Sequence, residues 1–428
     1  MGKKGGSLQI IISMPKNLYF VDSIYQPIGS GIIIVSLLPT TNNEENARIE
    51  VIQDGNLKMS NYKGRIQEGW YVFCDDNKQF SYGNTTAYAR EAFNEFKRLL
   101  DITLNDYLTE EIREDVGFLN SLSNPQDVTI TSYHINVHHG NCSVILLQSG
   151  GRYEIWMVDC SLSEKGKGNR FAGNLEAGFK EIRQQLGMQE GEDLHIKRFF
   201  LTHLHTDHYA GVEYLVNHGY IDNQTLCYWN FYYHMAGPKY LKTWQALINA
   251  NVRFIEPVYG NGCGAFEFLH PECRIYRSKG TTGVKVKQSR VVGEVNNSST
   301  VIKFSLGGKS MVFPGDLEQD GFKRMSGEIP CQGNLTGIDY YAVSHHGSLN
   351  GHPVVPCMSK NAPYLSPLCC VSQRVTRVVL MGRNGAYPGI YNSKVENYWK
   401  GLRGSLVYTE KAPHYVKLEW GSGKVTMR

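Results

Sequence analysis

Thr202-His203-Leu204-His205-Thr206-Asp207-His208 packs four candidate metal ligands, His203, His205, Asp207 and His208, into six residues. Neutral imidazole and carboxylate are the ligands that suit zinc, manganese or iron at a hydrolytic centre. A lone histidine is usually a surface residue or one satisfied inside the core, but ligands at this density rarely serve packing alone. Such a cluster needs a rigid support. The apolar run Phe199-Phe200-Leu201 just before it reads as a short buried strand, which places the ligands at a strand's C-terminal end.

The rest of the chain bounds the possibilities. A length of 428 residues implies two domains, or one large domain with additions. With 41% hydrophobic and 20% charged residues it has the composition of a globular protein with a substantial core. Its longest apolar run, Ile32-Ile33-Ile34-Val35-Ser36-Leu37-Leu38, is too short to span a bilayer. The basic start Met1-Gly2-Lys3-Lys4 leads to no apolar segment of a secretory signal, and Gly2 and Ser7 lack the spacing of a myristoylation site. The net charge of +4 tolerates an anionic substrate without demanding one. Ten cysteines occur without a CxxC pair, which argues against a zinc knuckle; adjacent Cys369 and Cys370 read as buried reduced thiols. A cytoplasmic protein with no membrane association is expected.

Residues 1–128 carry strand-like runs at 8–13, 31–38 and 47–52, separated by turn signals such as Asp54-Gly55. An amphipathic helix over 86–100 and an acidic helical stretch over 105–122 follow. This part holds no catalytic constellation and reads as a separate α+β domain, joined through a polar linker near 121–126. From Val128 the texture changes to an antiparallel meander: strands at 128–137, 142–148 and 153–158, the last ending at Asp159. A helix over 174–186 comes next, and then the strand that delivers the histidine cluster.

The pattern HxHxDH resembles the signature of the metallo-β-lactamase-fold hydrolases. The resemblance implies an αββα sandwich over residues 129–428, with two divalent ions, Zn²⁺ or Mn²⁺, held by loops at one edge of the paired sheets. It also implies that Asp159, at its strand end, lies beneath the metals and orients a ligand histidine. Lys309-Ser310-Met311-Val312-Phe313-Pro314-Gly315-Asp316 is a strand ending in Gly-Asp, where the superfamily's aspartate bridges both ions. A bridging carboxylate makes physical sense, because two dications ~3.5–4 Å apart repel unless an anion lies between them. Tyr340-Tyr341-Ala342-Val343-Ser344-His345-His346 is a strand ending in a histidine pair, of which one member ligates; His345 is favoured, with His346 close behind.

One branch matches in more detail. The chain is similar to the hydrolase domain of ComEC-type competence proteins and their stand-alone relatives. The shared motifs run in order: Val137-His138-His139-Gly140-Asn141, Asn296-Asn297-Ser298-Ser299-Thr300, Gly315-Asp316-Leu317-Glu318, His345-His346-Gly347-Ser348, and Met381-Gly382-Arg383-Asn384-Gly385 before Pro388. There are two departures. His138 stands where the branch carries glycine, and the third histidine that many superfamily members place ahead of the Gly-Asp strand is missing. His218, His234 and His270 lie in that interval but not at the usual place, which Asn296–Ser299 occupies; Asn297 there is read first as pinning the start of the strand, with a weak oxygen ligand or a water-holding role as the alternative. The first ion would then rest on His203, His205 and Asp316, binding weakly or favouring manganese over zinc. The second would rest on Asp207, His208, Asp316 and one of the histidine pair.

The reading that follows is a dinuclear metal-dependent hydrolase of phosphodiesters, with nucleic acid as first substrate because the similar branch is associated with DNA degradation. Asp207 and Asp159 count among its catalytic residues. Ser348, Asn350, Asn384 and Arg383 are candidates to contact a phosphate. Residue support for nucleic acid comes from basic loops (Lys279, Lys285, Lys287, Arg290; Arg374, Arg377, Arg383) and from the aromatics Tyr228, Trp229, Phe231, Tyr232 and Tyr233. No membrane-spanning run is present, so a part in DNA uptake itself is not expected. Alternatives are a cyclic-nucleotide or other small-molecule hydrolase, with lactone or β-lactam less favoured. Another is a sensor whose hydrolase domain is a gated effector and whose N-terminal domain docks a protein partner.

Overall fold

The structure, a computed structural model, describes residues 17–27, 32–40, 49–54, 67–74, 80–81, 85–106, 116–123, 126, 128–162, 169–189, 192–230, 237–257, 259, 262–270, 275–277, 284–286, 295–322, 338–352, 375–401 and 405–428. Strand alternation organises them. In Arg152–Cys160, Trp156 and Val158 point to one face and Ile155 and Met157 to the other, and in the next strand Phe199 and Phe200 divide likewise. A strand apolar on both faces needs a layer on each side. That requirement sets the architecture.

Two large sheets meet it. The eight-stranded sheet runs Arg253–Ile255, Leu226–Tyr228, Arg198–Phe200, Arg152–Cys160, Cys142–Ser149, Val128–Ile135, Tyr415–Glu419 and Lys424–Met427. Its first four strands are mutually parallel and the rest pair antiparallel. The seven-stranded sheet runs Gly262–Cys263, Phe266–His270, Val301–Leu306, Lys309–Phe313, Tyr340–Ala342, Arg377–Leu380 and Ser405–Tyr408, with the last four parallel. Between them lies a core of Ile145, Leu147, Trp156, Phe200, Ile302, Phe304, Met311 and Phe313. Trp156 meets Phe266 edge to face at 5.5 Å, a geometry that adds to the ~1.5–3 kcal/mol of burying each large apolar side chain.

Helices close the outer faces. Ala172–Leu186 and Pro238–Asn249 bring Leu175, Phe179, Ile182, Leu241 and Trp244 onto the first sheet; Ser393–Gly401 brings Val395 and Trp399 onto the second. The result is an αββα sandwich. Parallel strands of both sheets end at the same edge, and the connections leaving them carry the ligand-type residues.

The N-terminal strands form a sheet of their own, ordered Ile49–Asp54, Ile32–Pro39, Leu18–Tyr25, Tyr71–Cys74 and Phe80–Ser81. Its apolar side chains are not segregated from the sandwich. Phe20, Leu38, Phe96 and Leu99 belong to the same cluster as Leu241 and Trp244, and Tyr25 and Ile34 join the cluster around Trp399. The helix expected over 86–100 spans Thr85–Asp106, and its Thr103 Oγ1 accepts the Trp244 indole N–H at 3.1 Å. Leu18–Tyr25 escapes period-based reading because Asp22, a charged residue, is one of its fully buried positions. The strand expected at 8–13 lies outside the described residues. Of the acidic stretch, Val116–Ser121 is helical and 107–115 lies outside the described residues. Among the described residues no helix is long and apolar enough to cross a membrane.

Candidate metal centre

Three connections converge at the shared edge of the sheets. The strand Arg198–Phe200 leads into His203, His205, Asp207 and His208, the last two on the short helix Thr206–Tyr209. Lys309–Phe313 leads into Asp316, and Tyr340–Ala342 into the histidine pair. Asp207, His208, Asp316 and His346 each offer one ligand atom, all within 4.8 Å of one another. His208 Nε2 lies 3.3 Å from Asp316 Oδ1, and His346 Nε2 lies 3.3 Å from both Asp207 Oδ2 and Asp316 Oδ2. Beside them His203 Nε2 and His205 Nδ1 face each other at 3.2 Å, with Asp316 Oδ2 at 3.9 Å from His203 Nε2. Asp316 therefore touches both halves of the centre.

Of the histidine pair it is His346, not the favoured His345, that faces this cluster. Both residues adopt left-handed backbone, φ 46° and 48°, so the strand's alternation stops before them and its phase does not carry over. His345 turns toward Glu318, 3.1 Å from its Nδ1, and packs edge-on against Tyr25.

The surroundings set each ring's tautomer. Asp159 is fully buried; its Oδ1 accepts Thr202 N–H at 2.8 Å, and its Oδ2 accepts Thr202 Oγ1–H at 2.8 Å and lies 2.7 Å from His208 Nδ1. With a proton on Nδ1 donated to Asp159, His208 turns the lone pair of Nε2 to the cluster. His346 Nδ1 sits 3.2 Å from the Met381 carbonyl, which leaves its Nε2 in the same role. Gly315, φ +58°, makes the turn into Asp316 so tightly that a Cβ there would come within 2.7 Å of Thr202.

Electrostatics divide the site. Burial disfavours the charged form of Asp316, but His346 and His208 beside it hold its carboxyl well below the usual range; for Asp207, the imidazoles of His139 and His346 beside it likewise outweigh burial. His346 is raised to about 9, since Asp316 and Asp207, each 3.3 Å from its Nε2, outweigh its burial. Burial instead lowers His205 to about 3 and keeps His203 neutral as well. Buried His208 Nε2, His346 Nε2 and Asp316 Oδ1 have no hydrogen-bond partner. Leaving such atoms unsatisfied costs ~1–3 kcal/mol each. A divalent cation accepted by this nitrogen-and-oxygen donor set would relieve that cost, so the residues fit the metals that the resemblance implies.

His139 is a member of the site that the sequence did not single out. Its Nε2 lies 3.0 Å from Asp207 Oδ2 and its ring 4.4 Å from that of His346. The signal was its place in the turn His138-His139-Gly140-Asn141, where Gly140, φ +117°, lets Asn141 N–H reach the Asp207 carbonyl at 3.0 Å; a Cβ on Gly140 would lie 2.4 Å from that oxygen. His138 takes φ 59°, the conformation for which glycine is the usual residue.

Other sequence candidates are not among the four clustered residues. Ser348 is fully buried, and its Oγ accepts Gly351 N–H at 3.1 Å within its own turn, so it is spent on backbone and not offered to a substrate. Asn350 donates to the Gln26 carbonyl at 3.2 Å. Asn384 is exposed, its N–H bound to Glu410, and Arg383 is exposed beside it. Asn297 Oδ1 accepts Glu318 N–H and Gly321 N–H, so its side chain ties its segment to the turn after Asp316 rather than to the start of its own strand. His218 stacks on Tyr214 at the surface, and His270 Nδ1 binds the Ser299 carbonyl at 2.7 Å. Tyr228 and Trp229 are core residues, stacked on Phe200 and Tyr240, so neither can take a base. Phe231, Tyr232, Tyr233, His234, Lys279, Lys287, Arg290, Arg374, Cys369 and Cys370 lie outside the described residues.

No family model matches the sequence, and no curated protein does. Solved structures with a similar chain course include the metallo-β-lactamase fold protein YhfI from Bacillus subtilis, 13% identical over 68% of this chain and 99% of that one, TM-score 0.36. A diphosphatase of the PhnP family is 12% identical over 70% of this chain and 100% of its own, TM-score 0.34. Human tRNase Z, short form, is 13% identical over 59% and 92%, TM-score 0.29. The two facing sheets, the outer helices and the ligand-bearing edge are the αββα sandwich that the sequence resemblance implies.

Proposed function

We propose that this protein is a metal-dependent hydrolase of phosphodiesters, nucleic acid first among them, working with two divalent cations. The observation that carries the reading is the convergence of Asp207, His208, Asp316 and His346 within 4.8 Å, beside the His203–His205 pair and sharing Asp316 with it. His203, His205 and Asp316 would hold one ion, and the four clustered residues the other. Held by these residues, divalent cations would lower the pKa of water toward neutrality and would stabilise charge developing on phosphate oxygens.

The chain's own residues prepare that chemistry. Asp159 keeps His208 in the ligating tautomer, and the Met381 carbonyl does so for His346. His139, hydrogen-bonded to Asp207, holds that carboxylate in place. The motif order that resembles ComEC-type hydrolase domains supports nucleic acid as the substrate class. Cys74, Cys142, Cys160, Cys227 and Cys263 are free although Cys142 and Cys160 oppose each other on paired strands, which supports a reducing, cytoplasmic setting.

The test is a substrate panel with Mn²⁺ or Zn²⁺: bis-p-nitrophenyl phosphate, single- and double-stranded DNA, RNA, cyclic nucleotides and nitrocefin. Metal-dependent turnover of a phosphodiester is expected, and its loss in the Asp207→Ala/His208→Ala variant. Hydrolysis that persists in that variant, or is confined to nitrocefin, refutes the proposal.

A further inference from the structure

We infer that Glu68, delivered by the N-terminal sheet, is a positioning residue for His205 and compensates the first metal site for the histidine it lacks. The inference rests on the metal-centre reading above. Three observations lead to it. First, His203 Nε2 and His205 Nδ1 stand 3.2 Å apart, about the separation of two nitrogens on one tetrahedral ion with bonds of ~2.0–2.1 Å. His205 thus ligates through Nδ1, and its Nε2 carries the proton. Second, that Nε2 is buried without a hydrogen-bond partner, and the nearest carboxylate oxygen to it is Glu68 Oε1 at 3.8 Å. Burial raises the Glu68 carboxyl to about 8, so its ionised form gains from a further donor, and moving the two closer by roughly 1 Å makes an N–H···O hydrogen bond. Third, the Glu68 side chain is only 7% exposed, yet it is held in place: Oε1 accepts Ile24 N–H at 2.8 Å and Oε2 accepts Val295 N–H at 3.2 Å.

Val295 immediately precedes Asn296–Ser298, the segment that occupies the place of the absent histidine. Glu68 therefore bridges the strand Leu18–Tyr25, that segment and His205. The same strand sends Asp22 to the other side of the histidine loop, where its Oδ2 accepts Thr206 Oγ1–H at 3.0 Å. A carboxylate behind a ligating imidazole fixes the ring's tautomer and orientation and makes it a stronger donor. A site with two imidazoles and one shared carboxylate gains most from that support.

The experiment is a chelator-competition titration of Zn²⁺ into wild-type protein and Glu68→Gln, with circular dichroism and Tm recorded on both. Glutamine keeps the shape, but its NH₂ must face one of three donors. Wild type is expected to bind two ions. In Glu68→Gln one ion keeps its affinity and the other weakens by ~10–100-fold, the usual range for losing such a partner. Two ions bound with unchanged affinities overturn the inference, as does an equal loss at both sites accompanied by a lower Tm. If Glu68→Gln does not fold, ¹⁵N-imidazole NMR of the Zn²⁺-loaded wild type decides: a proton on His205 Nε2 is expected, and one on Nδ1 overturns it. A wild-type protein that takes up no ion fails the metal-centre reading itself, a separate outcome.

Discussion

Asp159→Asn is the substitution whose effect follows most directly from geometry. Asp159 offers two oxygens to three donors: Thr202 N–H on Oδ1, and Thr202 Oγ1–H and His208 Nδ1–H on Oδ2. Asparagine has one oxygen and one NH₂. If its NH₂ takes the Oδ1 position, it meets Thr202 N–H, and an unsatisfied buried donor costs ~1–3 kcal/mol. If its NH₂ takes the Oδ2 position, the Thr202 hydroxyl can rotate and accept, but His208 must move its proton to Nε2 to avoid a donor–donor clash. That proton then sits on the ligating nitrogen. A metal must reverse the tautomer, again at ~1–3 kcal/mol, and both arrangements remove the negative charge that makes the His208 ring a stronger donor, so metal binding weakens by ~10–100-fold. The assay is chelator competition with Zn²⁺ and Mn²⁺ on folded protein, with melting curves to show that the sandwich persists. Wild-type affinity together with wild-type phosphodiesterase activity would refute the claim that Asp159 governs His208.

Three further outcomes are expected. His346→Ala should lose the clustered ion and at least ~10²-fold in activity, whereas His345→Ala, removing a ring that faces Glu318, should keep both ions; metal content by mass spectrometry separates them. Ser348→Ala should lower stability by about 1 kcal/mol in urea unfolding, by stranding Gly351 N–H, while leaving the metal titration unchanged. With His346 raised to about 9, a binding ion must displace its proton, so apparent affinity should climb as pH rises from ~6.5 and flatten above ~9. Stability before metal addition should run the other way. The gain from protonated His346 is fully present below the unfolded pKa of ~6.5 and is lost as pH rises through about 9. Calorimetry at pH 6, 7.5 and 9 checks both slopes; pH-independent affinity would contradict the assignment.

The sequence by itself determined what short range can determine. HxHxDH, Asp159 and Gly315-Asp316 each follow a short apolar run that reads as a buried strand, so their place near strand ends was legible locally. The helix Thr85–Asp106 was legible from its apolar stripe, though its last turn depends on packing against Trp244. Only tertiary structure decided which of His345 and His346 turns inward, because both sit in left-handed backbone, where strand phase no longer predicts direction. It likewise spent Ser348 on its own turn, put Tyr228 and Trp229 into the core, and brought in His139. Glu68 and Asp22 show the reason most plainly. They reach His205 and Thr206 across separations of 137 and 184 residues, since 205 less 68 is 137. Contacts at that distance along the chain are set by which apolar faces pack together, and no local period records them.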